Sequence, residues 1–156
     1  MKILICGLGS IGKRHARILQ KMGGHEIFAL RTYQGQEKND LGIKELKSWE
    51  EVDRYAFDIA LITNPTCLHV TTALECARRR MHLFIEKPIG ASLENLDPLL
   101  NLVEEKSLTA YVAYPLRFHP VIETLKKRIE GQKILHARAT CASFLPEWRS
   151  NQNHYC

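Results

Sequence analysis

Several features that would identify a class of protein at once are scarce or missing in this sequence. It has five cysteines but no Cys-x-x-Cys pair, so neither a zinc site nor a disulfide framework is predicted. No apolar run approaches the roughly 20 residues that span a bilayer, and the first apolar segment does not resemble a signal peptide. Internal repeats and low-complexity segments are also missing. We therefore expect a cytoplasmic protein with no metal and no membrane association.

A concentrated patch of positive charge is missing as well. Lys and Arg number 22 against 17 Asp and Glu, but the cations are spread along the chain. The two dense groups, residues 78–80 and 126–128, fall near the predicted C-termini of helices, where cations interact favourably with the helix dipole. Nucleic acid is therefore not an expected partner.

Short and nearly continuous apolar segments alternate with helical patterns along most of the 156 residues. Such segments are typical of parallel strands that are buried on both faces. Strands that alternate with helices need crossover connections, so the pattern predicts an α/β fold, a doubly wound parallel sheet with helices on both faces. The predicted strands are residues 3–6, 27–30, 57–62, 82–85 and 108–113, with a short one near 43–46. In the first helix, the residues expected to face the core are Ile11, Ile18, Leu19 and Met22.

The pattern changes after Pro120. A helix is predicted over residues 121–129, ending at Gly131, and one long strand is predicted over 134–144. We therefore predict two domains. Residues 1–120 form the doubly wound domain, and residues 121–156 provide a linking helix and the first strand of a second, truncated α/β domain.

A glycine motif, Gly7-x-Gly9-x-x-Gly12, follows the first predicted strand and opens the first predicted helix. This is the context of the dinucleotide-binding fingerprint: one glycine permits a tight turn, another lets the backbone approach a pyrophosphate, and the third lets helix and strand pack closely. Free amides at the start of the helix, including those of Ser10 and Ile11, then bind the diphosphate. Methyltransferases have related loops, so S-adenosylmethionine is the alternative ligand.

The end of the second strand bears on the choice of cofactor. A carboxylate there pairs with the ribose 2′-hydroxyl of NAD, whereas an arginine suits the 2′-phosphate of NADP. Here Arg31 and Thr32 follow the strand, and no acidic residue occurs before Glu37. Both residues are predicted to bind the cofactor, and NADP is preferred over NAD. In the alternative, Arg31 is a solvent-facing residue that stacks on adenine and selects neither.

Further segments carry a resemblance to a known family. They are "TNPTCLH" at 63–69, "IEKP" at 85–88, "YPLRFHP" at 114–120 and "LPEWR" at 145–149. Together with "GLGSIGKRH" they resemble the N-terminal half of the glucose–fructose oxidoreductase, inositol dehydrogenase and MocA family. The resemblance implies an NAD(P)-dependent oxidoreductase that acts on a CH–OH group of a sugar, amino sugar, nucleotide sugar or polyol. It also implies a Rossmann domain and a second domain through which family members form dimers or tetramers.

The same resemblance implies roles for individual residues. Lys87 matches the family's lysine beside the reacting carbon, where an ammonium can bind the substrate oxygen. Pro88 is expected to follow a cis peptide bond. Structural roles are the alternatives: His69 packs against a helix, and Arg117 forms a salt bridge. The residues implied to contact the cofactor are Thr63, Asn64, Pro65, His69, Glu86, Lys87, Arg117, Trp148 and Arg149.

The family's proton donor or acceptor, an Asp and a His four residues apart on a helix of the second domain, has no counterpart in these residues. We therefore expect this chain to bind cofactor more readily than it catalyses a reaction. Two alternatives with the same fold stay open. One is a non-catalytic regulator that senses NAD(P), and the other is a glycosidase that oxidises its sugar transiently with NAD.

Overall fold

The apolar segments pair into one parallel sheet, as predicted. In the computed structural model, which describes residues 1–31 and 39–142, six strands lie in the order β3-β2-β1-β4-β5-β6, and every neighbouring pair is parallel. Two strands begin two residues later than predicted, at Ile59 and at Ala110. The strands are β1 (Lys2–Cys6), β2 (Glu26–Leu30), β3 (Lys44–Leu46), β4 (Ile59–Ile62), β5 (His82–Glu86) and β6 (Ala110–Ala113).

Helices cover both faces of this sheet. Along β1 successive side chains point to opposite faces, so Ile3 and Ile5 join one apolar cluster while Leu4 and Cys6 join another. The first helix of the chain packs into the former cluster, and the next three contribute to the latter. This confirms the doubly wound α/β fold. The helices are α1 (Ser10–Met22), α2 (Trp49–Val52), α3 (His69–Arg78), α4 (Leu96–Glu105) and α5 (Pro120–Ile129).

The strand order reverses its direction of growth at β1. The chain builds outward from β1 to β3 and then returns to place β4 on the other side of β1. The loops that follow β1 and β4 therefore both leave the carboxyl ends of the parallel strands, but toward opposite faces of the sheet. A crevice opens between these two loops. In doubly wound folds this switch point is where ligands bind.

The side of α1 that faces the sheet differs from the prediction. Its buried residues are Gly12 and Ala16, whereas Ile18 and Met22 are 45% and 68% exposed. The reason is the short distance between α1 and the loop after β1, which leaves room for small residues only. The apolar period of the sequence indicated a helix correctly, but the interpretation of Ile18 and Met22 as core residues was wrong.

The chain divides into two compact units, one of residues 1–113 and a second that begins at Tyr114. In the second unit α5 matches the predicted helix, and Gly131 adopts a positive φ of 72° beyond its end. The predicted strand is not formed over residues 134–142, and residues 143 and 144 lie outside the described ones. A strand is completed by hydrogen bonds to a neighbouring strand, and no described segment pairs with this one. The domain boundary at residue 120 stays a prediction.

None of the helices within residues 1–31 and 39–142 has the length and apolar character that a membrane-spanning segment requires.

Candidate cofactor-binding site

The loop after β1 is held in a conformation that only glycine adopts easily. Gly7 has a φ of +98°, and its N–H donates to the carbonyl of Leu30 at 3.0 Å. A Cβ atom on Gly7 would lie 2.8 Å from the backbone N and Cα of Asn64, which follows β4. A Cβ on Gly12 would lie 2.2 Å from the carbonyl oxygen of Gly7. The glycines therefore let three segments meet at one point: the loop after β1, the start of α1 and the loop after β4.

The N-terminus of α1 is suited to an anion. Gly9 is its N-cap residue, and within residues 1–31 and 39–142 no side chain caps the helix; its first turn, with Ser10, Ile11 and Gly12, contains no acidic residue. A Cβ built on Gly9 meets no described atom within 4 Å, so the space in front of the helix is open. Uncapped amides, the positive end of the helix dipole and open space together fit a diphosphate group.

Thr63 and Asn64 fasten the glycine loop to the end of β4. Thr63 is 6% exposed, and its hydroxyl donates to the carbonyl of Gly7 at 2.7 Å. The Asn64 amide donates to the hydroxyl of Thr72 in α3 at 2.7 Å, while Pro65 is exposed beside it. These contacts place the "TNP" segment at the switch point, and they orient the side chains of Thr63 and Asn64 toward protein groups.

Arg31 lies at the carboxyl end of β2, where a ribose is expected, and it is already paired. Its guanidinium Nη1 lies 2.8 Å from Oε1 of Glu45 on β3, and the Arg31 side chain is 17% exposed. Its backbone N–H donates to the carbonyl of Leu46 at 2.8 Å. Thr32 lies outside the described residues. Glu45 therefore brings a carboxylate to the region where the sequence alone shows only an arginine.

Lys87 follows β5 directly and is exposed, while the preceding Glu86 is held on both of its oxygens. Oε1 of Glu86 accepts a hydrogen bond from Nε2 of His15 in α1 at 2.8 Å, and Oε2 accepts the N–H of Lys87 at 3.2 Å. The His15 ring also packs edge-on against Phe84, with centroids 5.4 Å apart. The helix that presents the glycine loop is thus joined to the residue before Lys87. The peptide bond between Lys87 and Pro88 is cis, as predicted.

His69 begins α3 and is 2% exposed. Its Nδ1 lies 2.8 Å from the carbonyl oxygen of Pro88, and its Nε2 lies 2.9 Å from the carbonyl oxygen of Asn64. Both polar atoms of the ring thus face the protein backbone. A contact of His69 with the cofactor stays a prediction, and the structure gives this residue a position between two loops of the site.

Three residues of the predicted site do not belong to the described residues of the first unit. Arg117 is exposed in a short 3-10 turn, Pro115–Phe118, of the second unit. Trp148 and Arg149 lie outside the described residues. Their predicted contacts with the cofactor stay predictions.

Three residues that matter in this geometry were not singled out from the sequence. His15 could have been noticed, because it lies one helical turn after Gly12 and therefore on the side of α1 nearest the loop. Glu45 could not, because its position opposite Ala29 depends on the register of a three-residue strand. Thr72 reads as one more residue of an amphipathic helix.

A doubly wound sheet with an uncapped, glycine-flanked helix N-terminus at its switch point defines a nucleotide-binding α/β domain. Comparison with known proteins narrows this class. Residues 1–114 match the model of the Gfo/Idh/MocA group, described as an oxidoreductase family with an NAD-binding Rossmann fold. The chain belongs to this oxidoreductase family.

Individual relatives agree with this assignment. The NAD(+)-dependent scyllo-inositol 2-dehydrogenase of Bacillus subtilis is 26% identical over 141 residues, which cover 86% of this chain and 41% of the relative. Glucose-6-phosphate 3-dehydrogenase of the same organism is 27% identical over 137 residues, covering 85% and 39%. The structure of the WlbA dehydrogenase of Chromobacterium violaceum, in complex with NADH and UDP-GlcNAcA, has a TM-score of 0.76 at 20% identity and covers 85% of this chain and 40% of that one. The chain spans about 40% of the length of the curated relatives it matches.

The two glycines at the start of α1 give a matched pair of substitutions. Gly12→Ala places a Cβ against the Gly7 carbonyl, so the free energy of unfolding should fall by about 3 kcal/mol. Gly9→Ala meets open space at a φ of −71°, so it should cost less than about 1 kcal/mol, mainly as a poorer N-cap. Denaturant unfolding of both variants measures the difference. Equal losses of stability would contradict the packing described for Gly12.

The His15–Glu86 contact should be energetically coupled. Both side chains are largely buried, at 20% and 14% exposure, so the bond is poorly screened by water. A double-mutant cycle with His15→Ala and Glu86→Ala should give a coupling of about 1–2 kcal/mol in the free energy of unfolding. The Lys13–Asp40 pair is the control, because it starts from the same helix but is more exposed, and it should show no measurable coupling. A cycle that closes to zero for His15 and Glu86 would remove this link between α1 and β5.

Proposed function

We propose that this chain is the cofactor-binding part of an NAD(P)-dependent dehydrogenase that transfers a hydride to or from a CH–OH group of a sugar, amino sugar, nucleotide sugar or polyol. The observation that carries the proposal is the joining of an uncapped α1 N-terminus to the segment that presents an exposed Lys87, through the 2.8 Å contact of His15 with Glu86. Anion-binding amides and a free cation at one edge of a sheet suit a reaction in which a bound nucleotide and a polarised oxygen must lie close together.

The residues divide into binding and chemical roles. The amides of Gly9, Ser10 and Ile11 bind the diphosphate, and the segment around Thr63 and Asn64 shapes the wall of the crevice at the switch point. The bound nicotinamide supplies the acceptor or donor of the hydride.

Lys87 supplies the charge. Among the described residues its ammonium has no ion-pair or hydrogen-bond partner. An unpaired ammonium can donate a hydrogen bond to the substrate oxygen and stabilise the negative charge that develops there. Glu86 accepts a hydrogen bond from the Lys87 backbone N–H and so holds it in place. Glu86 is also proposed to contact the cofactor.

The kinds of substrate follow the relatives, which act on an inositol and a sugar phosphate or bind a nucleotide sugar. The proposal covers the whole protein, including its assembly as a dimer or tetramer. For this chain, it predicts binding of a nicotinamide cofactor. Calorimetric titration with NADH, NADPH and S-adenosylmethionine separates the dehydrogenase from the methyltransferase alternative, and binding of S-adenosylmethionine alone would overturn the proposal.

We propose that NADP is preferred, but only modestly. Arg31 attracts a 2′-phosphate, whereas Glu45 cancels part of its charge and would repel the same group. Glu45→Gln should therefore raise the affinity for NADPH relative to NADH by roughly fivefold to tenfold, and Arg31→Asp should lower it by a similar factor. Paired titrations with both cofactors measure these ratios. Ratios that neither substitution changes would exclude this pair from the choice of cofactor.

Lys87 is tested in the full-length gene product on a panel of sugars and polyols. Lys87→Ala should lower kcat by about 100-fold or more, because the developing charge loses its donor. The affinity for NADH should change by less than about threefold, since Lys87 is not among the groups that bind the diphosphate. Lys106→Ala is the control, because this lysine bonds the carbonyl of Arg78 away from the glycine loop, and it should leave kcat unchanged. Full activity of Lys87→Ala would show that another group bears the charge.

A further inference from the structure

His69 is a buried titratable residue to which the proposed chemistry gives no task. Its two ring nitrogens contact carbonyl oxygens on the two loops that leave the carboxyl ends of β4 and β5, Asn64 O at 2.9 Å and Pro88 O at 2.8 Å. The ring therefore bridges the segment at the switch point and the segment that carries Lys87. At 2% exposure, water has little access to either contact.

The number of donors required is greater than a neutral ring can supply. A carbonyl oxygen only accepts hydrogen bonds, and a neutral imidazole carries one N–H and one bare nitrogen. One of the two contacts would then set a nitrogen lone pair against an oxygen lone pair at less than 3 Å. Turning the ring over does not help, because it places C–H groups at 2.8–2.9 Å from oxygen, well inside the roughly 3.3–3.6 Å of C–H···O contacts. Only the imidazolium, with a proton on each nitrogen, satisfies both carbonyls.

We propose that His69 is a positioning residue that holds these two loops together as an imidazolium, and that loss of one proton releases one of the loops. The Pro88 carbonyl is one residue from Lys87, so the charge state of His69 sets how firmly Lys87 is placed. The charge state itself follows from the geometry, and its consequence for cofactor binding rests on the proposed function.

No ion pair with a described carboxylate accounts for the charge of His69, so the two carbonyl groups are the partners to consider. Among the described residues no carboxylate forms a salt bridge with the ring, and Glu75 on the same helix pairs with Arg79 and Arg78. β4 contains no ionisable residue. Glu86 is occupied by His15 and by the Lys87 N–H. The ionisable residues of the other elements that pack against α3 are His82 and Glu86 on β5, Lys87 after it, and Asp97, Glu104 and Glu105 on α4.

A buried cation needs compensation, and here two carbonyl dipoles supply it. Hydrogen bonds that involve a charged donor are roughly twice as strong as neutral ones, and both protons of the imidazolium have an acceptor. The neutral ring keeps one of these bonds and leaves one carbonyl and one nitrogen in mutual repulsion. The imidazolium is therefore the more stable form as long as both loops stay in place. The neutral ring becomes the more stable form when one loop moves away and water replaces it.

The proton count can be read directly by nitrogen-15 NMR of the histidine rings of this chain. At about pH 6 both nitrogens of His69 should show the matching shifts of an imidazolium. His82 is the internal control, since its Nδ1 accepts the N–H of Thr109 at 3.0 Å and therefore carries no proton while that hydrogen bond is formed. A His69 ring with one protonated and one bare nitrogen would overturn the proposal, and this readout needs neither a variant nor a cofactor.

The coupling to binding is measured by titrating the chain with NADH at about pH 6 and about pH 8.5. The arrangement with both loops held binds one more proton than the released one, so raising the pH favours release. The wild-type affinity should fall by about threefold or more across this range, with about tenfold per pH unit as the limit for one linked proton. NADH is used because the 2′-phosphate of NADPH would itself titrate near pH 6.

His69→Gln isolates the contribution of this ring. Glutamine keeps N–H donors that do not titrate, so its NADH affinity should vary with pH by less than about half as much as that of the wild type, while His15 and the remaining histidines are unchanged. The same pH dependence in both proteins would exclude His69 as the coupling group. Failure of both proteins to bind NADH at either pH would overturn the proposed function, and the NMR result would still decide the charge of His69.

Discussion

The close approach of α1 to the loop after β1 is the constraint on which the site depends. With no space for a Cβ on Gly12, the helix lies directly against the Gly7 carbonyl, and the Thr63 hydroxyl fastens that same carbonyl from β4. The start of the helix is consequently fixed at the switch point of the sheet, with its amides uncapped and facing open space. Both the position of the uncapped helix start and the selection of small residues on α1 follow from this one contact.

Polar contacts extend the constraint along the edge of the sheet. Thr63 joins the loops after β1 and β4, and His69 joins the loops after β4 and β5. The hydrogen bond between His15 and Glu86 connects the end of β5 to α1. Each contact ends on a backbone carbonyl or on a carboxylate that also holds a backbone N–H. The parallel sheet brings the loops to one edge, and these side chains set the distances between them.

The fold was largely predictable because its signals are local. Continuous apolar strands and alternating helices predicted the sheet and its crossovers, and the glycine motif predicted the close contact between α1 and the loop after β1. The α1 core face was wrong because Ile18 and Met22 have the correct period, yet the close packing at Gly12 turns the helix so that Ala16 faces inward. The prediction of a strand over 134–144 was wrong for residues 134–142. Apolar alternation indicates only a tendency to form a strand, whereas a strand also requires a neighbouring strand to pair with.

The predicted contacts with the cofactor stay predictions, and the sequence indicated the segments of the candidate site better than the partners of their side chains. The "EKP" and "TNP" segments were found because motifs survive in one-dimensional form. Glu45 beside Arg31 was not, since it depends on the register of two strands separated by more than ten residues. The donor count at His69 was equally hidden, because backbone carbonyls leave no trace in a sequence.

The position of Glu45 has an evolutionary consequence. It lies on β3, a three-residue strand at one edge of the sheet, and three strands separate it from β5. On the proposed function, substitutions on this edge strand can change whether the protein uses the cell's biosynthetic or catabolic pool of reducing equivalents. The reaction centre beside β5 keeps its architecture when such substitutions occur.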